Sequence, residues 1–441
     1  MTLVKPAYRT ESLGWREIRE GRALDIKFRL EQSGIVEVDL LARSESDWRV
    51  ENFESSALRL YVQGEYNQDC ILFYGDRPFH YKRLLGYLEA GEYELRLEFN
   101  RDISSPNVVR AFVESVEWKV VTPESELFAV YRHAPVLYGR NLTHPYENRF
   151  TDTPLLLFYR IEPEGDRTAI EYQIIFSHED EGTPTPLLMS KWGRTTDIEW
   201  IYRVVLDEHG EAVEATYQGL KHVTGHHRGS RALGGHPVLQ SASAHGMVID
   251  EVKSDYRFLF PPARRWNPEA EPRERVMDDF PFTYQVSAWE MLRQYPAEQP
   301  VMANSFHLAD LRHYMFVQCA KVTEHDSEHT SIDIQVKLKA GDIWFSSSFG
   351  DLRYGNFRCS YDGPYAQFST AVKLPPGTSF ADIEQICAVW LPGGEDSVLV
   401  PDFKAMFLDE QYSPGETVYG RGPVRVTKEE PRQTVWRGEA R

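Results

Sequence analysis

Ala23-Leu24-Asp25-Ile26-Lys27-Phe28-Arg29-Leu30 alternates apolar with charged side chains almost residue by residue. That period of two is the signature of a strand with one face buried and one solvated. The same alternation returns in Ile35-Val36-Glu37-Val38-Asp39-Leu40, in Leu58-Arg59-Leu60-Tyr61-Val62 and in Tyr93-Glu94-Leu95-Arg96-Leu97-Glu98-Phe99. Turn signals fall between these runs at intervals of about ten residues, the spacing of an antiparallel all-β fold. Short strands of this kind bury their apolar faces by closing two sheets on each other. Residues 1–121 are therefore expected to form a jelly-roll-like sandwich.

Further along, Val121-Thr122-Pro123-Glu124-Ser125-Glu126 reads as a short linker, and a second β-sandwich is expected over 127–260. Leu155-Leu156-Leu157-Phe158 is a continuous apolar run, as in a strand covered on both faces. From 261 to 296 the chain is first irregular, with prolines at 261, 262, 268, 272 and 281. It then predicts one helix over Phe282 to Tyr295, with Val286, Trp289 and Leu292 on its apolar face and Pro296 ending it. A second strand-rich region at 297–418 either stands alone or completes the preceding sandwich. Beyond Tyr419 the chain is charged and is expected to be a mobile polar tail. The fold class is all-β: a jelly-roll-like module plus a larger β-sandwich region with one helix.

The 441 residues carry a formal charge of −18, which argues against a nucleic-acid partner, because phosphate recognition needs a basic face. No apolar run is long enough for a transmembrane segment. The first residues lack the apolar core of a secretory signal, and the four cysteines match no metal or redox spacing, so buried thiols and a cytoplasmic location are expected. Oligomeric state is not legible.

Histidine is concentrated: nine of the fourteen lie between His133 and His245. The loop Gly225-His226-His227-Arg228-Gly229-Ser230-Arg231 offers Arg228, Arg231 and His226 to an anionic ligand, or is simply a solvated turn. Asp197 and Glu199 are two apart, so on a strand they share a face. Two such carboxylates repel unless a divalent cation, an arginine or a proton lies between them. The alternative is that Asp197 ends a loop while Glu199 has a cross-strand partner.

Gly193-Arg194-Thr195-Thr196-Asp197-Ile198-Glu199 resembles the Gly-His-Arg-His-Asp-Trp-Glu heptapeptide of necrosis-inducing, ethylene-inducing-like toxins, and the Asp-Trp-Glu element of Vps62-type proteins. His133-Ala134-Pro135-Val136-Leu137-Tyr138 and Ser243-Ala244-His245-Gly246 resemble flanking Vps62-type elements. The resemblance implies a β-sandwich holding Mg2+ or Ca2+ through Asp197 and Glu199, with Asp180 as a further carboxylate and His245 as a ligand or a group just behind the ligands. Arg194, Thr196 and Ile198 replace the motif's two histidines and its tryptophan. Residues 20–121 resemble the β-sandwich modules that accompany carbohydrate-active enzymes. Tyr61, Tyr66, Phe73, Tyr74, Phe79 and Tyr81 are candidates there for a sugar-stacking platform or for core.

No nucleophile elbow, phosphate-binding loop or zinc-binding helix motif is present. Arg140, Tyr202, Tyr217 and His245 supply the residue types of a polysaccharide lyase. The expected function is a divalent-cation-dependent hydrolase or lyase acting on a glycan or glycoconjugate. In it, Asp180, Asp197 and Glu199 hold the metal, His245 and Tyr202 are catalytic, and Arg194, Arg228 and His226 bind substrate. A non-catalytic sandwich that binds carbohydrate, lipid headgroup or protein is the alternative.

Overall fold

A computed structural model describes residues 9–140, 153–179, 183–242, 246–325, 330–350 and 367–438. The chain divides into two compact units, Met1–His178 with Asp197–Arg265, and Glu179–Thr196 with Trp266–Arg441.

The first unit opens with eight strands: β1 (Arg9–Arg19), β2 (Leu24–Leu30), β3 (Gly34–Ser44), β4 (Ser56–Val62), β5 (Glu65–Leu72), β6 (Phe79–Leu88), β7 (Gly91–Phe99) and β8 (Arg110–Val121). They form two antiparallel four-stranded sheets, ordered β1-β8-β3-β6 and β2-β7-β4-β5. Successive strands β1 and β2, then β3 and β4, then β5 and β6 fall in opposite sheets, which is the winding of a jelly roll. The expected alternation holds on β2, where Ile26, Phe28 and Leu30 are buried between exposed Asp25, Lys27 and Arg29. Each such side chain contributes about 1.5–3 kcal/mol of burial. Both faces of β3 are covered for most of its length, which is why Glu37 and Asp39 are buried beside Val36, Val38 and Leu40.

The rest of this unit is built on a six-stranded sheet whose order is Thr224–His226, Ala212–Gln218, Ile198–Leu206, Arg167–Phe176, Pro154–Glu164 and Pro262–Arg265. Its central hairpin turns at Gly165-Asp166, with Gly165 at φ +66°. A bulge interrupts strand Ile198–Leu206: Tyr202 faces Tyr172 and Trp200 faces Gln173, leaving Ile201 as the extra residue. A smaller sheet pairs Arg231–Ala232, His236–Ser241, Val136–Tyr138 and Arg257–Phe258, with Val248–Ile249 added to His236–Ser241.

The second unit contains another sandwich, with sheets ordered 367–373, 314–320, 403–408, 414–419 and 344–346, 332–338, 383–390, 432–437. Met315, Val317, Ile332, Ile334, Phe368 and Ile386 are in its core. The segment beyond Tyr419, expected to be mobile, instead supplies strands Val424–Thr427 and Arg432–Arg437. Val426 and Val435 are buried there in the core of the sandwich, and both strands are paired. The predicted helix is Phe282–Gln294. Its buried residues include Tyr284, Ala288 and Met291, while Trp289 and Leu292 are only half-buried. Cys70, Cys319 and Cys387 are buried free thiols, and Cys359 lies outside the described residues. Among the described residues, no helix is long and apolar enough to cross a membrane.

Candidate functional site

The heptapeptide that suggested a metal site is split between the two compact units. Helix Thr185–Trp192 ends at Gly193 in the left-handed conformation, φ +60°, and a Cβ there would meet the Thr370 carbonyl oxygen at 2.7 Å. Arg194 follows in the same unit, where its Nε donates to Glu274 Oε1 at 2.7 Å with both side chains 2% exposed. Its Nη1 donates to the Thr196 carbonyl, and Thr195 shares a hydrogen bond with Ser287. Arg194, expected to bind substrate, is thus committed to a buried ion pair.

Asp197 lies one residue before strand Ile198–Leu206 and is buried. Its Oδ2 stands 2.8 Å from where a Cβ on Gly246 would be, and the Phe176 ring is as close. Glu199 is half-exposed and accepts a hydrogen bond from Gln218 Nε2. Among the described residues, no group of three or more histidine, cysteine or carboxylate side chains is arranged to hold a metal ion. Asp180 and His245 lie outside the described residues. His226 is exposed, 4.0 Å from Glu214, and Arg228 is exposed with its amide donating to Asp250 Oδ2 at 2.9 Å.

Polar groups converge instead around Arg231. This exposed arginine opens the turn Arg231-Ala232-Leu233-Gly234-Gly235-His236, and its Nη1 donates to the Gly235 carbonyl at 2.8 Å. It acts electrostatically on His133, His227, His236 and Tyr202. His133 follows helix Phe128–Arg132, is buried, and has no hydrogen-bond partner at either ring nitrogen. Burial, with Arg231, Arg132 and His236 adding to it, pushes its pKa down to about 4. His236 is likewise lowered to about 4, chiefly by burial, although its Nδ1 donates to the Ala134 carbonyl at 2.9 Å. That bond selects the tautomer whose Nε2 carries the lone pair. Tyr202 is fully buried, its hydroxyl lacks a partner at hydrogen-bond geometry, and its pKa rises to about 12 by burial against the pull of Arg231. The His227 ring meets Tyr202 edge-on at 5.4 Å between centroids, and Tyr172 lies 6.2 Å from Tyr202 on the facing strand. At neutral pH the imidazoles are uncharged and Tyr202 keeps its proton, while Arg132 and Arg231 are cations at the surface. The arrangement suits an anion, with a neutral base and a neutral acid beneath it.

Of these residues, the sequence reading had singled out Tyr202 and, as an anion contact, Arg231. His133 was visible as the start of a resembling element and His236 as a member of the histidine-rich stretch, neither with a chemical role. They are brought together by parallel pairing of Val136–Tyr138 with His236–Ser241, a contact between positions about a hundred apart that no local pattern encodes.

On the jelly roll, Phe73 and Tyr81 are buried, and Phe79 packs edge-on to both, so these aromatics are core. Tyr66 is held by its hydroxyl on Asp69 and lies between the Arg59 and Arg257 guanidiniums, each 4.8 Å from its centroid. A shallow groove of about 540 Å³ runs along β2 and β7, lined by Lys27, Arg29, Gln63, Tyr93 and Glu94.

No protein-family model matches the sequence. No curated protein matches it either. Among solved structures, the chain is similar to a CBM36 domain of a multidomain xylanase from the hindgut metagenome of Trinervitermes trinervoides, with 13% identity, 23% of this chain and 73% of that one covered, and a TM-score of 0.18. It is similar to a CBM36 carbohydrate-binding module in complex with calcium and xylotriose, with 10% identity, 26% and 100% covered, and a TM-score of 0.19. A Podospora anserina GH26-CBM35 β-(1,4)-mannanase matches at 9% identity over 31% and 37%, with a TM-score of 0.19. All three likenesses are partial, and the chain is all-β, with several antiparallel sheets.

Proposed function

We propose that this chain acts on an acidic glycan by β-elimination at the Arg231 cluster. The observation that carries the reading is His133: a buried, neutral imidazole with both ring nitrogens unpartnered, flanked by Arg132 and Arg231. The two guanidiniums take the carboxylate of a uronate and acidify the adjoining C–H by stabilising the charge that develops there. His133 removes that proton, the electron pair becomes a carbon–carbon double bond, and the C–O bond to the neighbouring sugar breaks. The Tyr202 hydroxyl gives its proton to the departing oxygen and regains one from protonated His133, so atoms and charge balance without an oxidant or reductant.

Elimination is favoured over hydrolysis because a glycosidase flanks the scissile bond with two carboxylates. Among the described residues, the one carboxylate that acts on a histidine of this cluster is Asp250, through His227. The test is to incubate the protein with polyuronates and follow the ultraviolet absorbance of the unsaturated product. His133→Ala is expected to abolish it, and Arg231→Ala to raise KM. Turnover unaffected by His133→Ala overturns the reading. Binding without product in the wild type would replace it with the non-catalytic alternative, a glycan-binding sandwich.

A cation at Asp197 is a second reading, carried over from the sequence resemblance; Asp197 is a buried carboxylate at the entry of its strand. Ca2+ or Mg2+ there would tie the entry of strand Ile198–Leu206, and through it Tyr202, to the segment around Gly246.

A further inference from the structure

Both arms of the Arg231 cluster are seated on the jelly roll. The first arm is helix Phe128–Arg132, which delivers Arg132 and His133. Its Tyr131 hydroxyl donates to Glu37 Oε2 on β3 at 2.9 Å. Glu37 is buried and also takes Lys119 Nζ of β8 at 2.8 Å, so its carboxylate is held in place from the jelly-roll side. The second arm is the turn from Arg231 to His236, and it meets β6 backbone to backbone. The Tyr87 amide donates to the Leu233 carbonyl at 3.3 Å. Gly86, at φ +96°, lies so close that a Cβ would collide with the Leu233 carbonyl oxygen and stand 2.9 Å from its carbon. Reciprocally, a Cβ on Gly234, at φ +84°, would stand 2.8 Å from Tyr87 Cβ and 2.9 Å from its nitrogen. Two glycines opposed in this way allow a fit that any side chain would wedge apart.

We infer that the jelly roll is a positioning element of the site: β6, through Gly86, sets where Arg231 and His236 stand, and Glu37 of β3, through Tyr131, sets where Arg132 and His133 stand. The inference rests on reading the Arg231 cluster as the functional site. It gives the N-terminal sandwich a role different from an accessory module that merely holds substrate nearby. None of Gly86, Tyr131 and Glu37 touches the reacting groups in this scheme; each acts through the arm that it fixes. Saccharide bound to the jelly roll and saccharide at the cluster would then be coupled through two short rigid contacts.

The test reads the histidines directly and needs no substrate. The groups facing His133 are Arg132, Arg231 and His236, and those facing His236 are Arg132 and Arg231. Proton NMR titration of the full chain is expected to place both imidazoles well below the ordinary range. Gly86→Ala should lift the His236 midpoint by about one unit or more as the turn is wedged outward and hydrated. Tyr131→Phe, a single-hydroxyl change, should move His133 directly, and His236 only through Arg132. Gly91→Ala is the control, since a Cβ there meets only a Tyr93 ring carbon at 3.8 Å. If Gly86→Ala leaves the His236 midpoint unchanged in a folded protein, or Tyr131→Phe leaves that of His133 unchanged, the inference fails. Should Gly86→Ala not fold, Tyr131→Phe alone decides. Shifted titrations in a protein that makes no unsaturated product would retain the coupling and discard the elimination.

Discussion

Lowering the pH should unlatch the histidine cluster before it affects most of the molecule. His133 and His236 titrate near 4 in the folded chain, because protonating either would place a cation in a buried site that already faces two arginines. Unfolded, both return to about 6.5. Between those values the unfolded state binds more protons than the folded one, so stability rises with pH across the window. The contribution is complete above about pH 6.5 and is lost as the pH falls toward 4. Moving from about pH 7 to about pH 5 removes on the order of 2 kcal/mol for each histidine, and about 3 kcal/mol each by the lower limit. Other groups titrate over the same interval, so the quantity to measure is a difference. Urea unfolding of the wild type and of His133→Phe, which keeps a ring but cannot take a proton, should be compared at several pH values. The variant should lose less stability on acidification, by about 2 kcal/mol at pH 5. Parallel pH profiles for the two proteins would refute the buried, neutral state of His133, and with it the assigned base.

Two other outcomes follow from the buried carboxylates. Arg194→Ala leaves Glu274 charged and unpaired in a dry site, and should cost about 3–5 kcal/mol in urea or thermal unfolding; Arg194→Met with Glu274→Leu should recover most of it. A stable Arg194→Ala protein that has lost glycan binding would instead restore Arg194 as a ligand contact. For the cation reading, Ca2+ should raise the melting temperature of chelator-treated protein and Asp197→Asn should cancel the rise, whereas an unchanged melting temperature in the wild type would remove Asp197 from any metal site.

What could be read in the sequence, and what could not, divides along the range of the interactions. The jelly roll is legible because its signal is local: on β2 the side chains that alternate in the sequence alternate in burial as well. Strand Pro154–Glu164 is legible for the same reason, its apolar run being buried on both faces. The Arg231 cluster takes residues from a helix end, a bulged strand and the two sides of a turn, and what joins them is non-local pairing. The bulge at Ile201 breaks the period of two at the point where the facing of Tyr202 is decided, so no pattern rule reaches it.

The motif around Asp197 is ambiguous for a related reason. Carboxylates and arginines recur at strand ends both as ligands and as structural ion pairs, and the partner that separates the two cases can be distant in sequence. For Arg194 that partner is Glu274, eighty residues away. The inference that Asp197 and Glu199 share a face required both to lie within one strand. The regular strand begins at Ile198, and Asp197 stands at its edge, its carbonyl accepting from the Phe176 amide at 2.9 Å. Asp197 packs beside Gly246 and Phe176, while Glu199 accepts a hydrogen bond from Gln218 on the adjacent strand. Two residues of the same type, two apart, are thus held by different neighbours. A cation at Asp197 would need its remaining ligands from the segments that pack on Asp197, and the ladder that carries Glu199 gives no reason to count it among them.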